Sequence, residues 1–442
     1  MIHRTLIAAL AMLLLALVPA HAQKPSGKIT VLTSFPKDVT APFKKAFEAA
    51  HPGVTLEILN RNTNAGVKFI EETRASNTVD IFWASAPDAF EVLKGKKLLQ
   101  VYRSKAAGIP AVVGAYPIND KDGFYSGFAA SGYGIMWNTR YARANKLPDP
   151  KEWQDLAKAV YFDHVLIAAP SRSGTTHLTI ETILQGEGWA KGWRTLKEMA
   201  GNFRTVTERS FGVPDAVNSG QSGVGIVIDF FAFSAQASGF PVKFVYPTVT
   251  TIVPANVGVV TNAPNKVGAQ AFIDFLLSPA GQQVLFEKSV RRLPVLPAAY
   301  AKAPAGYPNP FKDKSLGSKL TFNSDLSKRR RGPVDTLFDQ LITFQLDGLK
   351  AATKAIHAAE AALAKKDSPA GRKLIKEARD LIAAMPISDK EVLSDEIRVA
   401  FSGGKKKKTA RQAELEQKWA AAAKTAYAAA KAKAEAALKL AK

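Results

Sequence analysis

From Lys28 to Val260 the chain alternates short β-branched apolar runs with amphipathic helical stretches, a pattern that confines this region to an α/β fold. Lys28 to Phe35, with the β-branched run ITVLTSF, reads as a strand that stops at Pro36. Thr40 to Ala50 follows as a helix, with Phe43, Ala46, Phe47 and Ala50 on one face and Pro42 tolerated in the first turn. His51-Pro52-Gly53 ends that helix and Val54 to Leu59 resumes a strand. A second helix, Ala65 to Ala75, leads into Val79 to Trp83, a continuous apolar run of the kind buried on both faces. Gly132 to Trp137, Val165 to Ala168, Gly225 to Ile228 and Val257 to Val260 repeat the strand signal, with helices such as Val267 to Leu277 between them.

After this body the character changes. Ala298 to Pro333 is rich in Pro, Gly, Lys and Ser and ends in Lys328-Arg329-Arg330-Arg331-Gly332-Pro333, the composition of a linker. Val334 to Lys365 then has a period of 3.6 residues through Leu337, Leu341, Phe344 and Leu349. Gly371 to Ala384 is a second helix. Ala410 to Lys442 is so alanine-rich that propensity favours helix while little remains to bury, which fits a bundle arm, a hairpin or a helix ordered by a partner. No repeat of fixed period is evident.

The chain carries 60 Lys plus Arg against 38 Asp plus Glu, a net +22 that would ordinarily raise nucleic acid as a partner. Half of that excess, +11, lies from Lys328 to Lys442. Base-stacking aromatics are absent around Lys405 to Lys408, so the run reads as a solvated face, and no nucleic acid is expected. Cysteine is absent altogether, which removes disulfides, thiolate metal sites, cysteine nucleophiles and a lipidated N-terminal cysteine. Residues 1–22 have a basic start, an apolar run from Leu6 to Val18 and Ala20-His21-Ala22, the pattern of a secretory leader cleaved after Ala22. Without a lipid anchor, the expected address is the space between two membranes.

The sharpest local feature is Val165 to Thr179. A buried strand (VLIAAP) feeds Ser171, Arg172, Ser173, Gly174, Thr175 and Thr176, where a helix begins. That turn offers hydroxyls, unpaired backbone N–H groups and the positive end of a helix dipole at one point, with a guanidinium beside it: anion-binding chemistry. It lacks the spacing of a nucleotide-hydrolysing loop, so binding without phosphoryl transfer is expected. Ligands of open α/β sheets lie beyond the carboxyl ends of strands, which adds Ser34, Ser85 and Ser131. Thr207, Glu208 and Arg209 form a further cluster. Asp229 closes the apolar strand GVGIVID as an acceptor for ligand hydroxyls, with Phe230 as a wall. The mature chain's histidines, His177 among them, show no metal-ligand spacing, so no metal, no cofactor and no enzyme are expected. His177 itself reads as a satisfied surface residue.

Together FWASAPDAF (82–90), GFAASGYGIMWNT (127–139), PSRSGTTHLTIETILQ (170–185) and AFIDFLLSPAGQ (271–282) resemble the periplasmic solute-binding proteins of ABC transporters. The likeness is to the iron-type group that includes phosphoglycerate and sugar-phosphate binders, and it covers roughly residues 28 to 310. It implies a type II periplasmic-binding-protein fold: lobe 1 from 23–130 and 247–310, lobe 2 from 131–246, and two crossing strands between them. Linker 311–333 and helical extension 334–442 would follow. Ferric members of the group use adjacent tyrosines where this chain, aligned by eye, has Phe230-Phe231, and phenylalanine supplies no phenolate. The resemblance therefore implies a small anionic, phosphorylated ligand and ABC permease subunits in the inner membrane as partners. LFDQLITFQLDGLKAA (337–352) is similar to the extension of the phosphoglycerate-sensing branch, which works with a sensor histidine kinase. A ferric-ion or ferric-chelate binder and an exported phosphoester hydrolase are the alternatives.

Overall fold

The computed structural model describes residues 24–313, 316, 320–402 and 408–441. The expected leader and Gly403 to Lys407 lie outside them. The first lobe is built from β1 (Gly27–Thr33), α1 (Lys37–Ala50), β2 (Val54–Asn60), α2 (Thr63–Glu72), β3 (Ile81–Ala84) and α3 (Pro87–Gly95). A small hairpin, β4 (Val112–Val113) and β5 (Tyr116–Pro117), precedes the long strand β6 (Ser126–Asn138). The second lobe holds α4 (Thr139–Ala144), β7 (Val165–Ala168), α5 (Gly174–Glu187), α6 (Trp189–Ala200), β8 (Phe203–Thr207), α7 (Gly212–Asn218), β9 (Val224–Ile228), α8 (Asp229–Ala237) and β10 (Val242–Val245). The chain returns to the first lobe with β11 (Ile252–Val259), α9 (Lys266–Leu277), α10 (Pro279–Val284) and β12 (Leu293–Pro294).

The strands form one path, β2-β1-β3-β11-β6-β9-β7-β8, with β10 and β12 also paired to β6. The lobes meet within β6. Its residues Ser126 to Gly132 pair antiparallel with β11, and Tyr133 to Trp137 pair with β9. At the handover Gly132 is required by space, because a Cβ there would stand 2.7 Å from both the Tyr246 ring and Ile252 Cδ1. Strands β3, β6, β7, β9 and β11 are buried throughout, which explains the unbroken apolar sequences of β3, β7 and β9, whereas edge strand β2 exposes Thr55 and Glu57. Trp83 anchors the first core, with the rings of Phe35, Phe43 and Phe272 edge-on at 5.0, 5.4 and 5.5 Å.

The extension comprises α11 (Ser324–Leu341), α12 (Leu346–Leu363), α13 (Pro369–Ala383), α14 (Asp389–Val392), α15 (Asp395–Ala400) and α16 (Ala410–Leu440). It shares one hydrophobic core with the second lobe: Trp153, Trp193 and Phe203 pack in the same cluster as Leu337, Ile356 and Trp419. A Cβ at Gly201 would collide with Thr353, so α6 and α12 approach at a residue with no side chain. The alanine-rich α16 buries Leu415, Trp419, Ala423, Tyr427, Ala430, Ala434 and Ala437 along one face, and small residues let the bundle close around it. Its place is thus a bundle arm against this chain's own helices.

Two expectations are corrected. The helix read over Val334 to Lys365 is broken after Leu341, and Phe344, at the break, is 63% exposed. The basic run assigned to a linker is the interior of α11, which starts at Ser324 under the Asn323 side-chain cap and carries Pro333 within it. Arg330 and Arg331 are buried there because carboxylates distant in sequence receive them. Arg330 Nε and Nη2 donate to Glu181 at 2.9 and 3.0 Å, and Arg331 pairs with Asp88 and donates to Asn64 at 3.0 Å. Among the described residues no helix is long and apolar enough to cross a membrane.

Candidate functional site

Between the lobes lies a cavity at which the N-termini of four helices converge: α2 and α3 from the first lobe, α5 and α8 from the second. Local sequence explains each start. Asn62 caps α2 by accepting from Ala65 N, Pro87 opens α3, and Ser173 caps α5 by accepting from Thr176 N at 3.1 Å. Asp229 accepts from the N–H of Phe230 at the start of α8. Helix N-termini carry partial positive charge and unpaired N–H groups, so their convergence makes a site for an anion.

Of the residues singled out by sequence, Ser34, Ser85, Arg172, Ser173, Gly174, Thr175, Arg209 and Phe230 line this cavity. Ser131 lies beneath it, fully buried. The Ser171 carbonyl accepts from Asn64 Nδ2 at 2.9 Å, joining the lobes at the rim. Thr176 is buried in the first turn of α5 behind the lining. Thr207 turns its hydroxyl to the carbonyl of Arg209 at 3.0 Å, and Glu208, 76% exposed, pairs with Arg172. Neither faces the cavity. Asp229, expected to accept from ligand hydroxyls, does not line the cavity, and its oxygens take Gly132 N, Tyr246 Oη and Phe230 N, each at 2.7 Å. Burial pushes its carboxyl up to about 6, against the pull of those donors and of Arg292. It ties the start of α8 to both crossings of the hinge.

The lobes touch across the site. Arg209 Nη2 donates to Asn60 Oδ1 at 3.1 Å, and a Cβ at Gly174 would stand 2.8 Å from Ala86 Cβ and 2.9 Å from Thr63 Oγ1. Phe230 and Phe231, 4.3 Å apart, separate the cavity from a wider groove of about 1030 Å³ between α1 and α7–α8. Among the described lining residues of the cavity there is no carboxylate, phenol or imidazole. His177, expected at the surface, is fully buried in α5 and bonds Asp335 at 2.7 Å and Ser327 at 3.0 Å, both from α11. The extension thus grips α5 on one side while Arg331 grips α3 of the other lobe.

Sequence reading missed Asn62 and Thr63, although an Asx-Thr cap ahead of an amphipathic stretch is a legible signal.

A sequence profile of bacterial extracellular solute-binding proteins matches residues 76–315. The phosphoglycerate transport regulatory protein PgtC of Salmonella typhimurium is 31% identical over 365 residues, 83% of this chain and 87% of that protein. The periplasmic binding protein AfuA of Actinobacillus pleuropneumoniae, solved with fructose 6-phosphate, superposes with a TM-score of 0.65 at 20% identity over 72% of this chain and 98% of its own. The apo ferric ion-binding protein A of Pasteurella haemolytica gives 0.57 at 17% identity over 71% and 97%. At these identities the two structures establish the two-lobed binding-protein fold.

Proposed function

Because this chain belongs to the bacterial extracellular solute-binding proteins, which serve transport systems, we propose that it captures a small anionic, phosphorylated metabolite between its lobes and delivers it to an ABC permease. The observation that carries this reading is the convergence of four helix N-termini, the hydroxyls of Ser34, Ser85 and Thr175 and two arginines on one cavity without a lining carboxylate. A phosphate monoester supplies the charge and the acceptor oxygens such a cavity lacks. Ferric ion asks for the opposite, hard anionic ligands, and here the pair Phe230-Phe231 offers none. Capture needs no nucleophile or general base, and the lining presents no carboxylate or imidazole to act as one. The name of the 31%-identical relative, a transport regulatory protein, and the clamp of the extension on both lobes support a second output, in which the extension reports occupancy to a sensor histidine kinase. Export into the periplasm follows from the leader read over residues 1–22.

Isothermal titration of the purified full chain with glucose 6-phosphate, 3-phosphoglycerate, glycerol 3-phosphate, inorganic phosphate and ferric citrate tests the ligand. Tight binding of at least one phosphate ester is expected. Binding of ferric citrate alone would overturn the reading.

A further inference from the structure

Helix α11 holds the two lobes by different means. Its Leu337, Phe338 and Leu341 share a hydrophobic cluster with Trp153 and Trp193 of the second lobe. Polar bonds reinforce that side, from Arg330 to Glu181 and from Asp335 and Ser327 to His177. None of its described residues joins the apolar clusters that contain Phe43 and Phe90 of the first lobe. That lobe is reached instead through polar side chains. Arg331 pairs with Asp88 in the first turn of α3 and donates to Asn64 Oδ1 of α2 at 3.0 Å. Asn64 Nδ2 in turn reaches Asp335 at 3.3 Å, Lys328 stands 3.8 Å from Glu91, and Ser324 bonds the Tyr116 hydroxyl.

This asymmetry decides which side lets go when the cleft opens. Apolar core has no substitute in water, whereas water replaces a hydrogen bond or an exposed ion pair at little net cost. Helix α11 therefore travels with the second lobe, and its bonds to the first lobe are the ones that break. Asp88 shows what the closed state depends on. It is fully buried, yet both charged neighbours of its carboxylate come from outside its own lobe: Arg331 from the extension and His177 at 3.3 Å from the second lobe. Its Oδ1 has no hydrogen-bond partner among the described residues. Removing Arg331 would leave that carboxylate desolvated with the lobes closed and hydrated with them apart, which penalises the closed state selectively.

We propose that α11 is a strap across the cleft that keeps the lobes closed without ligand, so that entry and release of a solute require Arg331 and Asn64 to part from each other and from their partners across the cleft. The proposal concerns the lobes themselves and stands independently of which solute is captured.

Distances between spin labels on the ligand-free full chain test it. The chain has no cysteine, so Lys45→Cys on α1 and Ser219→Cys after α7, both exposed, label one site on each lobe. Wild type is expected to show one dominant short distance. In Arg331→Gln a longer distance should appear, with the closed-to-open ratio lowered by about 30-fold or more, the scale of unpairing a buried charge. Asn64→Ala should lower it less. A second pair, Ser219→Cys with the exposed Lys424→Cys of α16, should keep its distance in every variant, because the extension stays with the second lobe. A wild type that is mainly open, an Arg331→Gln distribution that matches wild type, or a change in the second pair would overturn the proposal. If Arg331→Gln does not fold, Asn64→Ala decides, and an unchanged distribution in that variant overturns it.

Discussion

Gly174 shows how much of this site is decided by single atoms. It is the first residue of α5, and the space a side chain would need is occupied by Ala86 and Thr63 of the opposite lobe. The sequence suggests a glycine inside an anion loop, where backbone N–H groups are the usual reason. Its neighbours show a further one, close approach of the lobes. Gly174→Ala should therefore weaken ester binding by about 10-fold or more by resisting closure, with a melting temperature of the apo protein within a few degrees of wild type. Titration calorimetry and thermal melts check both, and unchanged affinity would contradict the packing argument. Ser173, read among the hydroxyls offered to an anion, uses its oxygen to cap α5. The burial of Arg292 had no local signature, because the residues that surround its guanidinium, Ser85, Ser131, Phe35 and Phe230, are remote in sequence.

Among elements, the start of α8 is the most informative. An aspartate ending an apolar strand reads equally well as a ligand acceptor or a cap; the fold uses it as the knot joining α8 to β6 and to Tyr246. Burial raises its folded-state pKa to about 6 from the ordinary 3.8, so the folded protein binds a proton that the unfolded chain has released between those values. The associated stability is complete below about pH 4 and is lost as pH rises through 6. At about 1.4 kcal/mol per unit, the loss is about 3 kcal/mol. Urea unfolding of wild type and Asp229→Asn from pH 4 to 7.5 should show the wild type losing about that much relative to the variant. Parallel profiles would refute the assignment. The basic run 328–331 teaches the same lesson from the other direction. Composition alone says linker; a helix forms because Glu181, Asp389, Asp88 and Asn64 wait to receive Arg330 and Arg331.

On the scale of the whole molecule, the extension and the second lobe share one hydrophobic core and are expected to unfold as one unit. Trp193 and Trp419 belong to the same core, and Trp189 Nε1 of the second lobe donates to Ile387 O of the extension at 3.1 Å. Variants retaining Trp193 alone or Trp419 alone should unfold in urea with coincident midpoints by fluorescence. An earlier transition for Trp419 would show an independently folding appendage. The same helix α11 that belongs to this unit contacts the first lobe through Arg331, which places the extension across the hinge.

The alternation of strands and helices determined by itself the α/β class, because periodicity and burial on two faces are properties of neighbours in sequence. The hydroxyl-rich turn at 171–176 leading into α5 was legible for the same reason: caps, hydroxyls and a glycine act within a few residues. Which side chains face the cavity, where Asp229 spends its charge, whether the alanine-rich helix has anything to pack against, and what lies opposite Arg292 were settled only by the tertiary structure. Desolvation and pairing depend on residues brought together from 50 to more than 200 positions apart, and no local window of sequence contains them.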